Sequence, residues 1–159
     1  MFFKKKKVEI KNLKAMVSGK VKPIEEVKDE VFSQGVLGIG LAIEPDTETV
    51  LAPCDGEVTV VMDGSNHAVG VKVTDTIEIL IHIGIDTVAM NGKGFNCLVK
   101  PGQKISEGEE LIHFSKKDIE EAGYGTDVIL VVMANDDLPA IRFNTGMSAV
   151  KGETVIAEW

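Results

Sequence analysis

The segment Thr76-Ile77-Glu78-Ile79-Leu80-Ile81-His82-Ile83-Gly84 alternates isoleucine with residues of other types. Side chains of a β-strand point alternately to its two faces. The four isoleucines therefore share one face of a predicted strand, and we expect that face to lie in a hydrophobic core. His82 lies on the opposite face, together with Leu80 and Glu78.

A second apolar run, Asn66-His67-Ala68-Val69-Gly70-Val71-Lys72-Val73, precedes this segment and is separated from it by Thr74-Asp75. With a two-residue hairpin loop at Thr74-Asp75, antiparallel pairing places His67 directly opposite His82. A four-residue loop keeps that register, whereas a loop of odd length puts the two histidines on opposite faces. Thr-Asp is not a favoured pair for a tight hairpin, so the residues leave the register open.

Two neighbouring imidazoles favour phosphoryl transfer. A neutral imidazole is a good nucleophile near neutral pH, and its phosphorylated form stays reactive enough to pass the group on. The reaction asks a protein mainly for positioning and charge stabilisation, which the N–H of a second imidazole supplies in part. From the residues alone, two ordinary strand histidines are an equal alternative.

The rest of the chain is typical of an all-β protein. Short runs rich in Val and Ile alternate with turns such as Asp63-Gly64-Ser65-Asn66. One short helix is predicted at 116–122, capped by Ser115 and ended by Gly123. We predict an antiparallel β-sandwich or barrel-like fold. Its strands are expected at 19–23, 39–43, 57–62, 68–73, 77–84, 110–114, 128–134 and 154–158.

Two short echoes predict an internal duplication. The sequence at 15–21, Ala-Met-Val-Ser-Gly-Lys-Val, resembles Ala-Pro-Cys-Asp-Gly-Glu-Val at 52–58. Residues 102–112 resemble residues 146–156, with two glycines, a glutamate and a final aliphatic pair in register. We therefore predict one duplicated domain at 15–159.

Charge divides the chain unevenly. Residues 1–14 hold six lysines against one glutamate, a balance of +5, and the remainder holds 11 basic against 24 acidic residues, a balance of −13. We predict a basic, poorly ordered tail at 1–14, with weak attraction to an anionic membrane surface as the alternative. The acidic body argues against nucleic acid as the main partner.

Localisation is predicted from what the chain lacks. No apolar stretch is long enough to span a bilayer, and Met1-Phe2-Phe3 is too short for a signal peptide. Cys54 and Cys97 form no paired motif, and we expect both to be reduced. These features predict a cytoplasmic protein.

The histidines lie within specific motifs. These are Asn66-His67-Ala68, then Glu78-Ile79-Leu80-Ile81-His82-Ile83-Gly84-Ile85-Asp86-Thr87-Val88, then Gly92-Lys93-Gly94-Phe95. With the segments at 27–32, 38–40 and 52–56, they resemble the glucose-type IIA component of the bacterial phosphoenolpyruvate:sugar phosphotransferase system. The resemblance runs from about Ala15 to the C-terminus. It leaves ordinary strand histidines as a minor alternative.

The resemblance implies a β-sandwich phosphocarrier. His82 is then the residue that accepts a phosphoryl group on Nε2 from the small carrier HPr and donates it to a cysteine of a IIB domain of a sugar permease. His67 supports the transfer, and the Ser65 hydroxyl helps to orient it. No cofactor is required, although a zinc ion can join His67 and His82 to a partner carboxylate. The implied location is the cytoplasm near the inner face of the cell membrane.

The resemblance also implies an apolar docking surface around the histidines, where regulatory targets bind in some members. Its matching positions are Phe32, Val36, Leu37, Leu80 and Val88, rimmed by Asp29 and Asp86. We expect Phe32 to be exposed there, so that its replacement by Ala spares the fold. The chain departs from the family pattern at Ile39, where Asp is usual.

Two rival classes need separate tests. A metal-dependent hydrolase requires a third protein ligand and an open water position beside the histidines. A biotinyl- or lipoyl-type carrier presents a modified lysine at a hairpin tip, for which Lys93 is the only candidate.

Overall fold

The computed structural model describes residues 9–159, so the first eight residues of the predicted tail lie outside the described residues. The described chain contains two short α-helices, α1 (Glu30–Ser33) and α2 (Lys116–Glu121), and 3-10 turns at Ile24–Glu26 and Thr87–Met90. Its strands are β1 (Asn12–Lys14), β2 (Gly19–Pro23), β3 (Gly38–Pro45), β4 (Thr49–Leu51), β5 (Gly56–Val61), β6 (Ala68–Lys72), β7 (Glu78–Ile83), β8 (Phe95–Cys97), β9 (Lys104–Ile105), β10 (Glu110–Phe114), β11 (Val128–Met133), β12 (Arg142–Phe143), β13 (Ser148–Ala149) and β14 (Val155–Glu158).

These strands form three antiparallel sheets. The largest has eight strands in the order β13-β2-β3-β11-β7-β6-β5-β9, and two three-stranded sheets have the orders β4-β10-β8 and β1-β14-β12. The predicted all-β, antiparallel fold is confirmed, and each predicted strand is present within two residues of its expected ends. No helix within residues 9–159 is long and apolar enough to cross a membrane.

The strand order displays the predicted duplication. In the eight-stranded sheet, β13-β2-β3-β11 is matched by β9-β5-β6-β7, read from the other edge. The two copies also exchange equivalent hydrogen bonds. The N–H of Lys14 donates to Pro53 at 2.9 Å, and the N–H of Leu51 donates to Met16 at 2.8 Å. Because these donors and acceptors occupy matching positions of the repeat, the two copies are joined at a pseudo-symmetric seam.

The eight-stranded sheet buries side chains on both faces. On one, which we call the core face, the four isoleucines of 77–83 are at most 1% exposed and pack with residues of all three sheets. On the other, which we call the histidine face, a smaller cluster contains Phe32, Ala42, Ile129 and Val131. The run Val-Ile-Leu-Val-Val-Met of β11 is continuously apolar because its side chains are buried on both faces of the sheet.

The predicted register of the β6–β7 hairpin is wrong by one residue. Ala68, rather than His67, pairs with His82. The N–H of Val73 donates to the carbonyl of Ile77 at 2.9 Å, which leaves the three-residue loop at 74–76. The Thr74 hydroxyl accepts a hydrogen bond from the N–H of Ile77 at 3.0 Å and so stabilises this longer turn. The loop therefore has the odd length that was expected to separate the histidines.

The folded unit begins before Ala15, so the predicted boundary at residue 14 is wrong. Residues 12–14 form β1, which pairs with β14, and Leu13 is fully buried in the main core. The lysines of this segment do not prevent a strand, because alternate side chains face solvent while Leu13 faces the core.

Helix prediction was correct at one site and missed another. Helix α2 lies at the predicted position, and the Ser115 hydroxyl accepts from the N–H of Asp118 at 3.1 Å. Helix α1 makes the prediction of a single short helix wrong. Its four residues are too few to show a helical period, although the Asp29 carboxylate caps it by accepting from the N–H of Val31 at 2.9 Å.

Candidate functional site

His82 lies on the histidine face near the end of β7 and is partly buried. Its Nδ1 is 2.9 Å from the carbonyl oxygen of Gly84. A carbonyl oxygen can only accept a hydrogen bond, so Nδ1 carries the proton of the neutral ring. The lone pair is therefore on Nε2, the nitrogen that is free to act as a nucleophile.

The backbone after His82 makes this hydrogen bond possible. Gly84 has a φ of +77°, in the left-handed region that glycine adopts at little cost. This turn directs its carbonyl back toward the preceding imidazole. The role of Gly84 was not predicted from the sequence, although a glycine placed two residues after a strand histidine is the pattern that indicates it.

His67 precedes β6 and is only 4% exposed. Its backbone carbonyl accepts from the N–H of Ile83 at 2.8 Å, as the corrected register requires. The strand alternation does not extend to His67, because the preceding residue, Asn66, has a φ of +53°. This change of backbone direction lets the His67 ring reach the histidine face despite the odd-length loop.

The His67 ring is oriented by Ser65. Its Nδ1 lies 2.9 Å from the Ser65 oxygen, and the Ser65 hydroxyl points to the carbonyl of Met62 at 3.3 Å. Since the hydroxyl proton is directed to Met62, the Ser65 oxygen accepts from Nδ1–H. The contact implied by the family resemblance is thus present, and His67 also has its lone pair on Nε2.

The two imidazoles are in contact. Their ring centroids are 4.7 Å apart with an interplanar angle of 86°, so the edge of one faces the plane of the other. The predicted proximity is confirmed, although the register from which it was predicted is wrong. Two aromatic rings complete the surroundings: Phe32 is 4.9 Å from His82, and Phe95 is 6.4 Å from His67.

Both histidines are neutral near pH 7. Burial lowers the pKa of His67 below its usual 6.5. Burial is also the main cause that lowers the pKa of His82 to about 4, followed by the neighbouring His67 ring. The Gly84 carbonyl and the Asp29 carboxylate act on the pKa of His82 in the opposite direction. The Nε2 lone pair of His82 is therefore available at physiological pH.

The positions predicted for partner binding fall into two groups. Val36 and Val88 are 67% and 59% exposed, and Asp86 is exposed beside Val88. Leu37 and Leu80 are partly buried against the small cluster of the histidine face. The remaining acidic position, Asp29, is partly buried and caps α1.

The expected exposure of Phe32 is wrong. Its side chain is 6% exposed and belongs to the small cluster on the histidine face. Its position beside His82, which the family resemblance implies, is present in the structure. Phe32 is buried because α1 packs it against apolar residues of β3 and β11. In a sheet with only one buried face, these residues would be exposed to solvent.

The site offers a metal ion two ligands. Among residues 9–159, no group of three or more His, Cys, Asp or Glu side chains is placed to hold one. The two Nε2 lone pairs fit a zinc ion only if other ligands come from a partner or solvent. Cys54 adds no reactive group, because burial raises the pKa of its thiol to about 12.

Comparison with known proteins agrees with this architecture. Residues 11–138 match the family described as phosphoenolpyruvate-dependent sugar phosphotransferase system, EIIA 1. The chain is 39% identical over 142 residues to a PTS system glucose-specific EIIA component of Bacillus cereus, covering 89% of this chain and 86% of that protein. It is 44% identical over 122 residues to a PTS system beta-glucoside-specific EIIBCA component of Bacillus subtilis, covering 76% of this chain and 20% of that protein.

A solved structure shares the whole fold. The glucose permease IIA from Mycoplasma capricolum superimposes with a TM-score of 0.81 at 30% identity, covering 99% of this chain and 98% of that one. The fold and site thus define a small antiparallel β-protein with two adjacent histidines on one sheet face. The chain belongs to the EIIA 1 family of the phosphoenolpyruvate-dependent sugar phosphotransferase system. It is a phosphotransferase component of sugar transport.

Proposed function

We propose that the protein carries a phosphoryl group on His82, received from phospho-HPr and passed to a cysteine of a IIB domain. The observation that carries this proposal is the 2.9 Å hydrogen bond from His82 Nδ1 to the Gly84 carbonyl. It keeps the lone pair on Nε2, and the lowered pKa keeps that nitrogen unprotonated. The protein acts in the cytoplasm, where a donor and a permease domain can both reach it.

In the first step, His82 Nε2 attacks the phosphorus while the bond from phosphorus to the donor breaks. Nε2 carries no proton, so the attack releases none. The Nδ1 proton stays on the ring and is donated in a hydrogen bond to the Gly84 carbonyl, which stabilises the positive charge that the ring gains when Nε2 is phosphorylated. In the second step, a cysteine thiolate of the IIB domain attacks the phosphorus and His82 Nε2 leaves with its lone pair.

His67 assists by donating a hydrogen bond to the phosphoryl oxygens. Its Nδ1 proton is held by Ser65, so donation from Nε2 requires a second proton on the ring. The incoming phosphoryl charge, held next to His67, favours this protonated form. The His67 side chain thereby stabilises the charge that moves between donor and acceptor.

The partners dock on the exposed apolar residues Val36 and Val88 and on the partly buried Leu37 and Leu80. The Asp29 and Asp86 carboxylates supply acidic groups beside them, which suits a partner with basic residues around its own reactive group. Phe32 is buried beneath this surface, where its ring covers His82 and does not itself contact the partner. Regulatory targets that dock here compete with phosphoryl transfer.

A zinc ion is proposed only as a bridge to such a target. His67 and His82 supply two nitrogen ligands, and a partner carboxylate supplies a third. Zinc would then occupy the Nε2 lone pairs that phosphoryl transfer needs, so zinc-dependent docking and phosphorylation exclude each other.

Phosphorylation of single-histidine variants tests the proposal. Wild-type protein, incubated with phosphoenolpyruvate, the first enzyme of the system and HPr, should gain one acid-labile, base-stable phosphoryl group. His82→Ala should gain none, whereas His113→Ala is a matched control because His113 is exposed and its side chain pairs with Glu110. Labelling of His82→Ala to the wild-type extent would show that another residue is the acceptor.

The role of His67 is tested by His67→Gln, which keeps an amide donor but loses the imidazole. This variant should accept the phosphoryl group on His82 and pass it to a IIB cysteine more slowly, by about 10²-fold, because the neutral amide cannot become the charged donor that the protonated His67 ring provides. Rapid-quench measurement of onward transfer gives the rate. An unchanged rate would remove His67 from the mechanism.

A further inference from the structure

Thr87 is a fully buried polar residue that the mechanism above does not use. Its side chain is 0% exposed, and Thr87 and His67 are the polar side chains among the described residues that reach such burial. The Thr87 hydroxyl donates to the carbonyl of Ile83 at 2.5 Å. That carbonyl belongs to the residue between His82 and Gly84, so the hydroxyl acts on the backbone that shapes the site.

The turn after β7 is held on several sides. The N–H of Gly84 donates to Asp127 at 2.7 Å, and the N–H of Ile85 donates to Gly125 at 3.0 Å. A β-carbon built on Gly84 would lie 2.4 Å from the Thr87 methyl carbon and 2.9 Å from the Gly125 oxygen. The Gly84 peptide is therefore confined between Thr87 and the strand-end loop at Gly125.

We propose that Thr87 is a positioning residue: by holding the Ile83 carbonyl, its hydroxyl fixes the Gly84 carbonyl at the distance that keeps the proton on His82 Nδ1. The inference rests on the proposed function, since it assigns Thr87 the task of keeping His82 Nε2 free for the phosphoryl group. It acts through the backbone and touches neither the phosphoryl group nor the partner.

The geometry separates the hydroxyl from the methyl group. The hydroxyl fixes the Ile83 peptide, whereas the methyl group only fills space beside Gly84. Thr87→Ser keeps the donor and removes the methyl. Thr87→Val keeps the shape and removes the donor, so the turn loses its restraint without a change of volume. Thr47→Val, which removes a hydroxyl that accepts from the N–H of Ser18 near β3 and β4, is the control for loss of a side-chain hydrogen bond elsewhere.

The direct readout is the tautomer of His82, from the imidazole ¹⁵N shifts of histidine-labelled protein without any partner. Wild type, Thr87→Ser and Thr47→Val should show a protonated Nδ1 and a bare Nε2. Thr87→Val should show a mixture that includes the Nε2–H form. Its phosphorylation by limiting phospho-HPr should fall by about ten- to a hundredfold, because the nucleophile is misplaced and partly protonated.

Wild-type tautomer and wild-type rate in Thr87→Val overturn the proposal, as does a mixture in Thr87→Ser equal to that in Thr87→Val. If Thr87→Val does not fold, Thr87→Ala replaces it and is compared with Thr87→Ser, because these two variants differ only in the hydroxyl. A Thr87→Ala protein that keeps both the tautomer and the rate of Thr87→Ser would equally overturn the proposal. The tautomer needs no phosphoryl donor, so a wild type that accepts no phosphoryl group contradicts the proposed function while leaving the role of Thr87 to be decided by the spectra.

Discussion

The core face and the histidine face of the eight-stranded sheet use the same strands for different purposes. The core face carries isoleucines that are at most 1% exposed and pack with residues of all three sheets. The histidine face carries a smaller cluster against which Leu37 and Leu80 pack, while Val36 and Val88 are more than half exposed. Alternate side chains of β7 therefore have different roles: those on the core face stabilise the fold, and those on the histidine face include His82.

Adjacent residues of β7 provide the strongest test of this division. Ile81→Ala removes a fully buried side chain from the core face and should lower the free energy of unfolding by about 2–5 kcal/mol. Leu80→Ala, on the histidine face, removes a partly buried side chain and should cost clearly less while weakening the docking of phospho-HPr. Urea denaturation measures both losses. Equal losses would mean that the two faces contribute alike to stability.

Phe32 tests whether the small cluster protects the site. Phe32→Leu keeps an apolar side chain and should lower the free energy of unfolding by at most about 1.5 kcal/mol. The phosphorylated variant should lose its phosphoryl group faster than wild type, because the ring that covers His82 also limits water access. Intact-mass spectrometry over time gives the decay. Phe143→Leu, at a partly buried position against the main core, is the control, and an unchanged lifetime in Phe32→Leu would contradict a shielding role.

The dependence of stability on acid pH tests the contribution of His82, on the histidine face, without a substitution in the core. The pKa of His82 is about 4 in the folded protein and about 6.5 when unfolded, so the unfolded chain binds more protons between these values. The contribution of neutral His82 to the free energy of unfolding is therefore fully present above pH 6.5 and is lost as the pH falls toward 4. The melting temperature of wild type should therefore fall more over this window than that of His82→Gln. Parallel profiles would show that His82 is not held neutral by the fold.

The smallest effect on stability is expected at Val88, which is 59% exposed. Val88→Ser should change the free energy of unfolding by no more than about 0.5 kcal/mol. It should weaken binding of HPr or a IIB domain by up to about tenfold, because apolar contact area is lost. Val150→Ser, at a similarly exposed position between β13 and β14, should leave binding unchanged; calorimetric titration of both compares them. A larger loss of binding in Val150→Ser would place the docking surface elsewhere.

Local patterns in the sequence were sufficient for the strands and for the main core. The isoleucine alternation of 77–83 placed His82 on the correct face, and Ser115 and Gly123 marked the ends of α2. These features could be predicted because each depends on a rule that acts within a few residues, either side-chain alternation or helix capping.

The site itself depends on interactions that the local patterns do not contain. The hairpin register follows from the Thr74 hydroxyl, which favours a three-residue loop, and the position of the His67 ring follows from the left-handed backbone of Asn66. The prediction was wrong both in the loop length and in extending the strand alternation to His67. Each error alone would move the His67 ring to the other face, so together they still placed it beside His82. The burial of Phe32 required knowing that β11 packs on both faces, which is a property of the assembled sheet.

The pairing of β1 with β14 has a consequence for synthesis. The 145 residues between Asn12 and Glu158 must all be translated before β1 can pair, because its strand partner is the last strand along the chain. At bacterial or eukaryotic rates of about 5–20 residues per second, the first strand waits about 7–29 s for the last. During that time the nascent chain exposes the edge that β14 will occupy. The three-stranded sheet of β1, β14 and β12 therefore cannot be completed until the final strand has been made.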